Sequence, residues 1–283
     1  MQSQKKPSSN KPLISNSDWS SEIFSYLEES LAGRKIHTAL FDFDNTLVRG
    51  DFGEEVMCEL LLAGVPWIQS LTPFFPEAAI SEKMEILRKT DTQSFMDEVW
   101  KYYESKIEKE GLEAGYRWST WIFSGRSTKE LQNTANLVWE KNQKDTSPKA
   151  VQAFHPMLEL VKELEKAGTK IWIVTASPEP VIQMVSERWG IPKENVLGMR
   201  LIEKNGILSH ELIEPFTYGI GKVKLLNLAN GNQGYDLAFG DSENDFPMLS
   251  HVRSKGIFLD RGKKAPPPGV FVQSVKNWKT VPL

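Results

Sequence analysis

The sequence predicts an α/β protein, a parallel sheet wrapped by helices and interrupted by a long helical insertion. Three observations carry this reading. Residues 36–41, 171–174 and 235–239 are apolar runs of strand length, suited to burial on both faces. Each run stops abruptly in polar residues that can do chemistry: Asp42 and Asp44, then Thr175 and Ser177, then Asp241 and Asp245. Between the first two runs lie residues 43–170, mostly helical in period and far more chain than one crossover needs.

The elements follow in order. Residues 1–17 are rich in Ser, Lys, Asn and Gln and lack an apolar core, so they read as a disordered tail and not as a secretory signal. The core is expected over residues 18–50 and 150–283, with the helical insertion over 51–149. Its first helix, 54–63, stops at Gly64-Val65-Pro66. The loop Thr72-Pro73-Phe74-Phe75-Pro76 precedes a helix over 81–88. Helix 92–109 carries Phe95, Val99, Trp100 and Ile107 and stops at Gly111. Residues 112–123 and 127–144 make two more, the latter capped by Ser127 or Thr128 with Glu130 in its first turn. Helix 156–167 returns the chain to the sheet. After the second strand, Ser177 suits an N-cap and Pro178 the first turn of a helix reaching residue 189. Residues 195–212 read as an extended pair turning at Asn205-Gly206, and 222–229 as a helix. From Asp260 onward, through Ala265-Pro266-Pro267-Pro268-Gly269, the pattern is an irregular tail.

Composition narrows the function. A quarter of the residues are charged and the net charge is −3, which excludes a basic field for nucleic acid or a membrane surface. Cys58 is the single cysteine, so neither an intrachain disulfide nor a zinc cluster is expected. His37, His155, His210 and His251 are scattered and read as ordinary core or surface residues. No apolar run approaches the roughly 18 residues of a membrane span. The expectation is a cytoplasmic enzyme with no membrane and no nucleic-acid partner, export remaining open if a signal has been removed. Oligomeric state is not legible.

The run ends carry the chemistry. In a parallel sheet, ligands bind beyond the carboxyl ends of the strands. Two carboxylates there, spaced i, i+2, repel each other and lose hydration unless a cation or a proton compensates. A hydroxyl and free backbone N–H groups at a helix start suit an anion. Lys222, at the start of a helix, adds positive charge. Asp241 and Asp245 stand four apart around a turn. A few hard oxygen ligands that leave room for water and a phosphate suit Mg²⁺.

In this order the residues resemble the haloacid dehalogenase-like (HAD) phosphohydrolase superfamily. The motifs are Asp42-Phe43-Asp44-Asn45-Thr46, Thr175, Lys222 and Gly240-Asp241 followed by Asn244-Asp245. The resemblance implies a Rossmann-like core with an inserted α-helical cap of the phosphoserine phosphatase-like group. It implies Asp42 as nucleophile and Asp44 as general acid and base. Thr175, Ala176, Lys222 and Asn244 would bind the phosphate. Mg²⁺ would be held by Asp42, the Asp44 carbonyl, Asp241 and Asp245. The acid at Asp44 also favours a phosphatase or phosphotransferase over the dehalogenase and P-type ATPase branches, which lack it. Chemistry agrees, since a carboxylate can take the phosphoryl group while a second one moves protons.

The cap would choose the substrate. Trp67, Trp100, Trp118, Trp121 and Trp139 lie in it, with Tyr102, Tyr103, Tyr116, Phe95 and Phe123. Such rings make the core of a small helical unit, or a wall for a cationic head group. Residues 49–55 and 214–222 resemble the matching stretches of bacterial phosphorylcholine phosphatases, in which an acid at the position of Glu54 meets the choline. Phosphoserine phosphatases instead have a Glu at the position of Asp51 and need a cap arginine, for which Arg88, Arg117 and Arg126 are candidates. The expectation is a Mg²⁺-dependent phosphomonoesterase for a small organic phosphate. Phosphocholine-like compounds come first and phosphoserine-like second, with phosphotransfer as a further alternative. A non-catalytic regulatory or binding protein on the same fold is the remaining alternative, and the complete acid set argues against it.

Overall fold

The computed structural model describes residues 12–63, 70–262 and 265–283. The chain begins with α1 (Ser21–Ala32), β1 (Thr38–Phe41) and β2 (Val48–Arg49). Five helices follow: α2 (Phe52–Leu62), α3 (Ala78–Thr90), α4 (Thr92–Glu110), α5 (Leu112–Ser119) and α6 (Thr128–Lys144). Then come β3 (Gln152–Phe154), α7 (His155–Lys166), β4 (Lys170–Pro178), α8 (Glu179–Ser186), β5 (Val196–Met199), β6 (Leu201–Lys204) and β7 (Ile207–Leu212). The chain ends with α9 (Ile220–Asn230), β8 (Leu237–Gly240), α10 (Phe246–Ser250), β9 (Lys255–Asp260), β10 (Phe271–Ser274) and β11 (Thr280–Val281).

Six strands form one sheet in the order β10-β9-β8-β1-β4-β5, every pairing parallel. Chain order reverses at β1, which leads to β4 on one side and meets β8 on the other. A crevice at such a reversal is where ligands bind in open α/β sheets, and Asp42 is the first residue beyond β1. The period-2 alternation of strand side chains decides the two faces. Ala39, Phe41, Ile171, Ile173, Leu237 and Phe239 join one apolar cluster. Leu40, Trp172, Val174, Ala238 and Phe258 join the other, with Val223 and Leu226 of α9 and Met248 of α10. The first cluster runs on without a break into the helical insertion through Phe52, Val56, Phe75, Phe95 and Trp121. Cap and sheet thus share one buried core.

Local chemistry accounts for most boundaries. Asp51 caps α2 by accepting from the Glu54 N–H, so that helix starts two residues earlier than its periodicity suggested. Asp91 caps α4 by accepting from the Ser94 N–H. Ser127 and Glu130 form a reciprocal capping box at α6, as their spacing predicts. Asn205 and Gly206, both at positive φ, make the two-residue turn between β6 and β7. Only β6 and β7 form that hairpin, because β5 joins the main sheet.

Several expectations need correction. Residues 12–17 are not a disordered tail: Ile14 is buried, the Leu13 and Ile14 N–H groups bond Glu28, and Ser15 bonds Glu159. Residues 1–11 lie outside the described residues, as do Gly64, Val65, Pro66 and Trp67. The segment after Asp260 is not an irregular tail, since β10 extends the main sheet beside β9. There β11 and β2 flank β3 in a small antiparallel sheet. The expected helix 112–123 breaks after Ser119 into a tighter turn over Thr120–Phe123. Ser177 does not cap α8. It remains in β4, and Pro178 takes the cap position.

Candidate active site

The turn that follows β1 sets two buried carboxylates close together. The Asp42 N–H still bonds the Phe239 carbonyl of β8, so Asp42 is fixed to the sheet. Phe43 then accepts from the Thr46 and Leu47 N–H groups, Asn45 adopts a positive φ, and the chain doubles back. On β4 the register against β5 slips between Val174 and Pro178. Residues 175–177 therefore leave the regular ladder at the sheet edge, a common device beside active sites.

These strand ends meet in a cleft of roughly 270 Å³. Asp42, Asp44, Thr175, Ala176, Asp241 and Asn244 line it from the core. Asp51, Glu54, Met57, Tyr103, Tyr116 and Phe123 line it from the insertion. Lys222 lies beneath, fully buried, with Nζ 2.7 Å from Asp42 Oδ1 and 2.6 Å from Asp245 Oδ1. Asp245 Oδ2 accepts from the Asp241 and Ser242 N–H groups and from the Ser242 hydroxyl, which fixes the turn after β8. Asn244 Oδ1 accepts from the Gly219 N–H at 2.6 Å and so ties that turn to the start of α9. The structure thus brings the motif residues and the acids Asp51 and Glu54 to the cleft wall, except the buried Lys222 and Asp245, which support its floor.

The two motif carboxylates differ in environment. Burial pushes the Asp42 carboxyl up to about 7, against the charge of Lys222, which pulls it down. Asp44 is held well above the usual carboxylate range, by burial first and then by the charge of Asp51. Its Oδ1 accepts from the Phe52 N–H at 2.6 Å and its Oδ2 from the Ser177 hydroxyl at 2.5 Å. Gly53 makes room for that hydroxyl, since a Cβ there would overlap Ser177 Oγ. Lys222 would lose its proton more easily through burial, but Asp245 and Asp42 outweigh burial and keep it charged.

The acid set fits a divalent cation. Asp42, Asp241 and Asp245 each offer an oxygen, all within 4.8 Å of one another and all buried. Among the described residues Lys222 is the one ammonium paired with them. Asp241 is raised well above the usual range by burial and by the charges of Asp245 and Asp42, and its Oδ2 has no aligned hydrogen bond. Few, hard, partly unsatisfied oxygens suit Mg²⁺. The Asp44 carboxylate is not in that group, and its oxygens accept from Phe52 and Ser177.

The cap departs from expectation. Among the described residues no tryptophan lines the cleft. Trp121 stacks on Phe74, Trp118 donates Nε1–H to the Phe74 carbonyl, and Trp139 meets Phe52 edge-on. Trp118 and Trp121 pack on the aromatic loop 73–76 and Trp139 on α2, and the rings that reach the cleft are Tyr103, Tyr116 and Phe123. Arg88, Arg117 and Arg126 do not line the cleft either. Arg88 pairs with Glu85. Arg117 pairs with Glu113 and Glu214 and lies 4.7 Å over the Phe216 ring, clasping α5 to the segment before α9. The cleft's arginine is Arg261, just past β9, a residue no motif spacing marks. Ser177 was visible in sequence, but as a cap and not as a partner of Asp44.

The sequence pattern of the haloacid dehalogenase-like hydrolases matches residues 39–250. A phosphoserine phosphatase of Mycobacterium tuberculosis is 25% identical over 76% of this chain and 62% of its own length. A phosphorylcholine phosphatase of Pseudomonas aeruginosa is 24% identical over 59% of this chain and 50% of its own. The chain thus spans between half and two thirds of the length of these curated relatives. A solved structure of a conserved protein of unknown function from Anaerococcus prevotii superposes with a TM-score of 0.72 at 18% identity, covering 90% of each chain. That likeness is one of fold.

Proposed function

Because this chain belongs to the haloacid dehalogenase-like hydrolase family, we propose that it hydrolyses small phosphomonoesters whose organic group is cationic. Asp42 is the nucleophile and Asp44 the proton carrier. A carboxylate oxygen of Asp42 bonds to phosphorus as the bond from phosphorus to the ester oxygen breaks. The proton on Asp44 passes to the departing oxygen, giving the free alcohol. Water then gives a proton to Asp44 and attacks phosphorus, which releases inorganic phosphate and restores both side chains. A divalent ion held by Asp42, Asp241 and Asp245 would supply positive charge to the phosphoryl oxygens. The single observation that carries this reading is the divided environment of the two acids. Asp42 is held on Lys222, while Asp44 is raised and held by Phe52 and Ser177 in the same cleft.

The cationic group is inferred from the lining. Asp42, Asp44, Asp51, Glu54 and Asp241 face one arginine, and that arginine is paired with Asp241. Among the described residues a substrate carboxylate finds no other cationic side chain in the wall, whereas an ammonium finds Glu54, Tyr103 and Tyr116. The likeness to a phosphorylcholine phosphatase points the same way, and the likeness to a phosphoserine phosphatase makes phosphoserine the second reading. The test is phosphate release from phosphocholine, phosphoethanolamine, phosphoserine and glycerol phosphate, with Mg²⁺ and with EDTA. A cation–π contact of about 0.5–2 kcal/mol predicts a preference of roughly 2- to 30-fold for phosphocholine over glycerol phosphate. Equal rates on the two, or a preference for phosphoserine, would refute the cationic reading. Full activity in EDTA would refute the metal.

A further inference from the structure

We propose that Arg261 is a resident cation that competes with the divalent ion for Asp241 and, once displaced, binds the substrate phosphate. The inference rests on the metal reading of the cleft but concerns a residue outside its motifs. Arg261 Nη2 stands 2.6 Å from Asp241 Oδ2. That oxygen is buried and has no aligned hydrogen bond, so the pair is held by charge and not by the planar fork that makes arginine–carboxylate pairs strong. Asp241 is also a member of the acid trio, whose oxygens lie within 4.8 Å of one another. A small divalent ion takes oxygens at about 2.0–2.1 Å, and a guanidinium on the same carboxylate would then face a second cation at close range. The two occupants compete for one carboxylate.

The surroundings let Arg261 move. Its side chain is 29% exposed, whereas that of Asp241 is 4% exposed. Its backbone is anchored, because the next residue, Gly262, donates its N–H to Asp260 Oδ1 at 2.6 Å. The head group can therefore turn about a fixed base. Its charge already reaches Asp51 on the opposite wall. Once off Asp241 it is the one Lys or Arg lining the cleft among the described residues. Lys222 has two of its three donors committed to Asp42 and Asp245. A phosphate dianion entering a wall of five acids needs a cation, and the guanidinium fork matches phosphate.

The test is calorimetric and needs no turnover. Mg²⁺ is titrated into the full chain, wild type and Arg261→Gln, without substrate. Loss of a partly exposed competitor should tighten Mg²⁺ binding by about two- to five-fold. Inorganic phosphate is then titrated into the Mg²⁺-loaded proteins, where Arg261→Gln should bind it roughly ten-fold more weakly, the scale of one charge-assisted contact. Arg261→Lys should keep the wild-type Mg²⁺ affinity but recover only part of the phosphate affinity. Mg²⁺ affinity that is unchanged or weaker in Arg261→Gln overturns the competition, and equal phosphate affinity overturns the handover. A wild type that takes up no Mg²⁺ brings down the metal centre as well, so the two failures are distinguishable.

Discussion

Lys222→Met removes a cation from a place that water does not reach. Its Nζ lies 2.7 Å from Asp42 and 2.6 Å from Asp245, and the side chain is fully buried. Methionine keeps most of the stem, so the change is chiefly one of charge. Removing one partner of a buried ion pair costs about 3–5 kcal/mol, because the other charge is left uncompensated. At about 2–4 °C per kcal/mol for a chain of this size, Tm should fall on the order of 6–20 °C. The loss should depend on pH in a definite direction. A carboxyl whose folded pKa is raised gains a proton on folding between its unfolded value, about 4, and its folded value. Stability then falls as pH rises through that window. Burial already pushes Asp42 up to about 7 while Lys222 pulls it down, and without Lys222 the window widens upward. The deficit of Lys222→Met should therefore be smaller at pH 5, where a proton replaces the lysine, than at pH 8. Urea denaturation of both proteins in EDTA at the two pH values measures it, and saturating Mg²⁺ should restore part of the loss at pH 8. A deficit below about 1 kcal/mol at pH 8, or one that shrinks as pH rises, would show that Asp42 and this lysine do not form a buried ion pair.

Asp44→Asn should slow turnover sharply, but least for a good leaving group such as p-nitrophenyl phosphate; single-turnover phosphorylation with equal losses on activated and unactivated esters would remove its acid role. Ser177→Ala deletes the hydroxyl that donates to Asp44 and lowers its pKa, so the alkaline limb of kcat/KM against pH should move upward, and an unmoved limb would count against the contact. Glu54→Gln should raise KM for phosphocholine by more than KM for glycerol phosphate, and equal effects would place Glu54 outside substrate recognition. Gly221→Ala should lower Tm strongly, because a Cβ there would overlap the Phe216 carbonyl oxygen, and a Tm near wild type would show that the segment before α9 yields easily.

The chemistry of the floor was legible because strand ends are abrupt. Asp42, Thr175 and Asp241 each follow an apolar run, and a parallel sheet sets such ends side by side without further instruction. Lys222 was legible by its place at a helix start. What depends on distant pairing was not. Phe271–Ser274 is four residues long and follows a proline-rich loop, so only its register with Ile257–Asp260 makes it a strand. Leu13 and Ile14 form a short apolar pair in a polar stretch, yet Ile14 is buried while Leu13 is exposed. Trp118 and Trp121 stand three apart, the spacing of one helix face, but spacing alone cannot say what that face meets. The answer is Phe74 and Phe75, supplied by a loop. Arg261 carried no periodic or motif signal, because its meaning comes from β9 lying beside β8.

The first turn of α2 joins two tasks that the motifs keep apart. Its Phe52 N–H holds Asp44, its Gly53 admits the Ser177 hydroxyl to the same acid, and Asp51 both caps the helix and raises Asp44 by its charge. One residue on, Glu54 faces the cleft. In the proposed reaction, proton transfer and recognition of the organic group would thus rest on four consecutive residues. A change at Asp51 would disturb the cap, the acid and the wall together, and its kinetics could not be assigned to any one of them. Glu54 is different, since its backbone N–H serves the cap while its side chain is outside the Asp44 hydrogen bonds. Glu54→Gln is therefore the substitution that can alter recognition while leaving the pH profile of proton transfer in place, and the two readouts together separate a specificity residue from a member of the acid network.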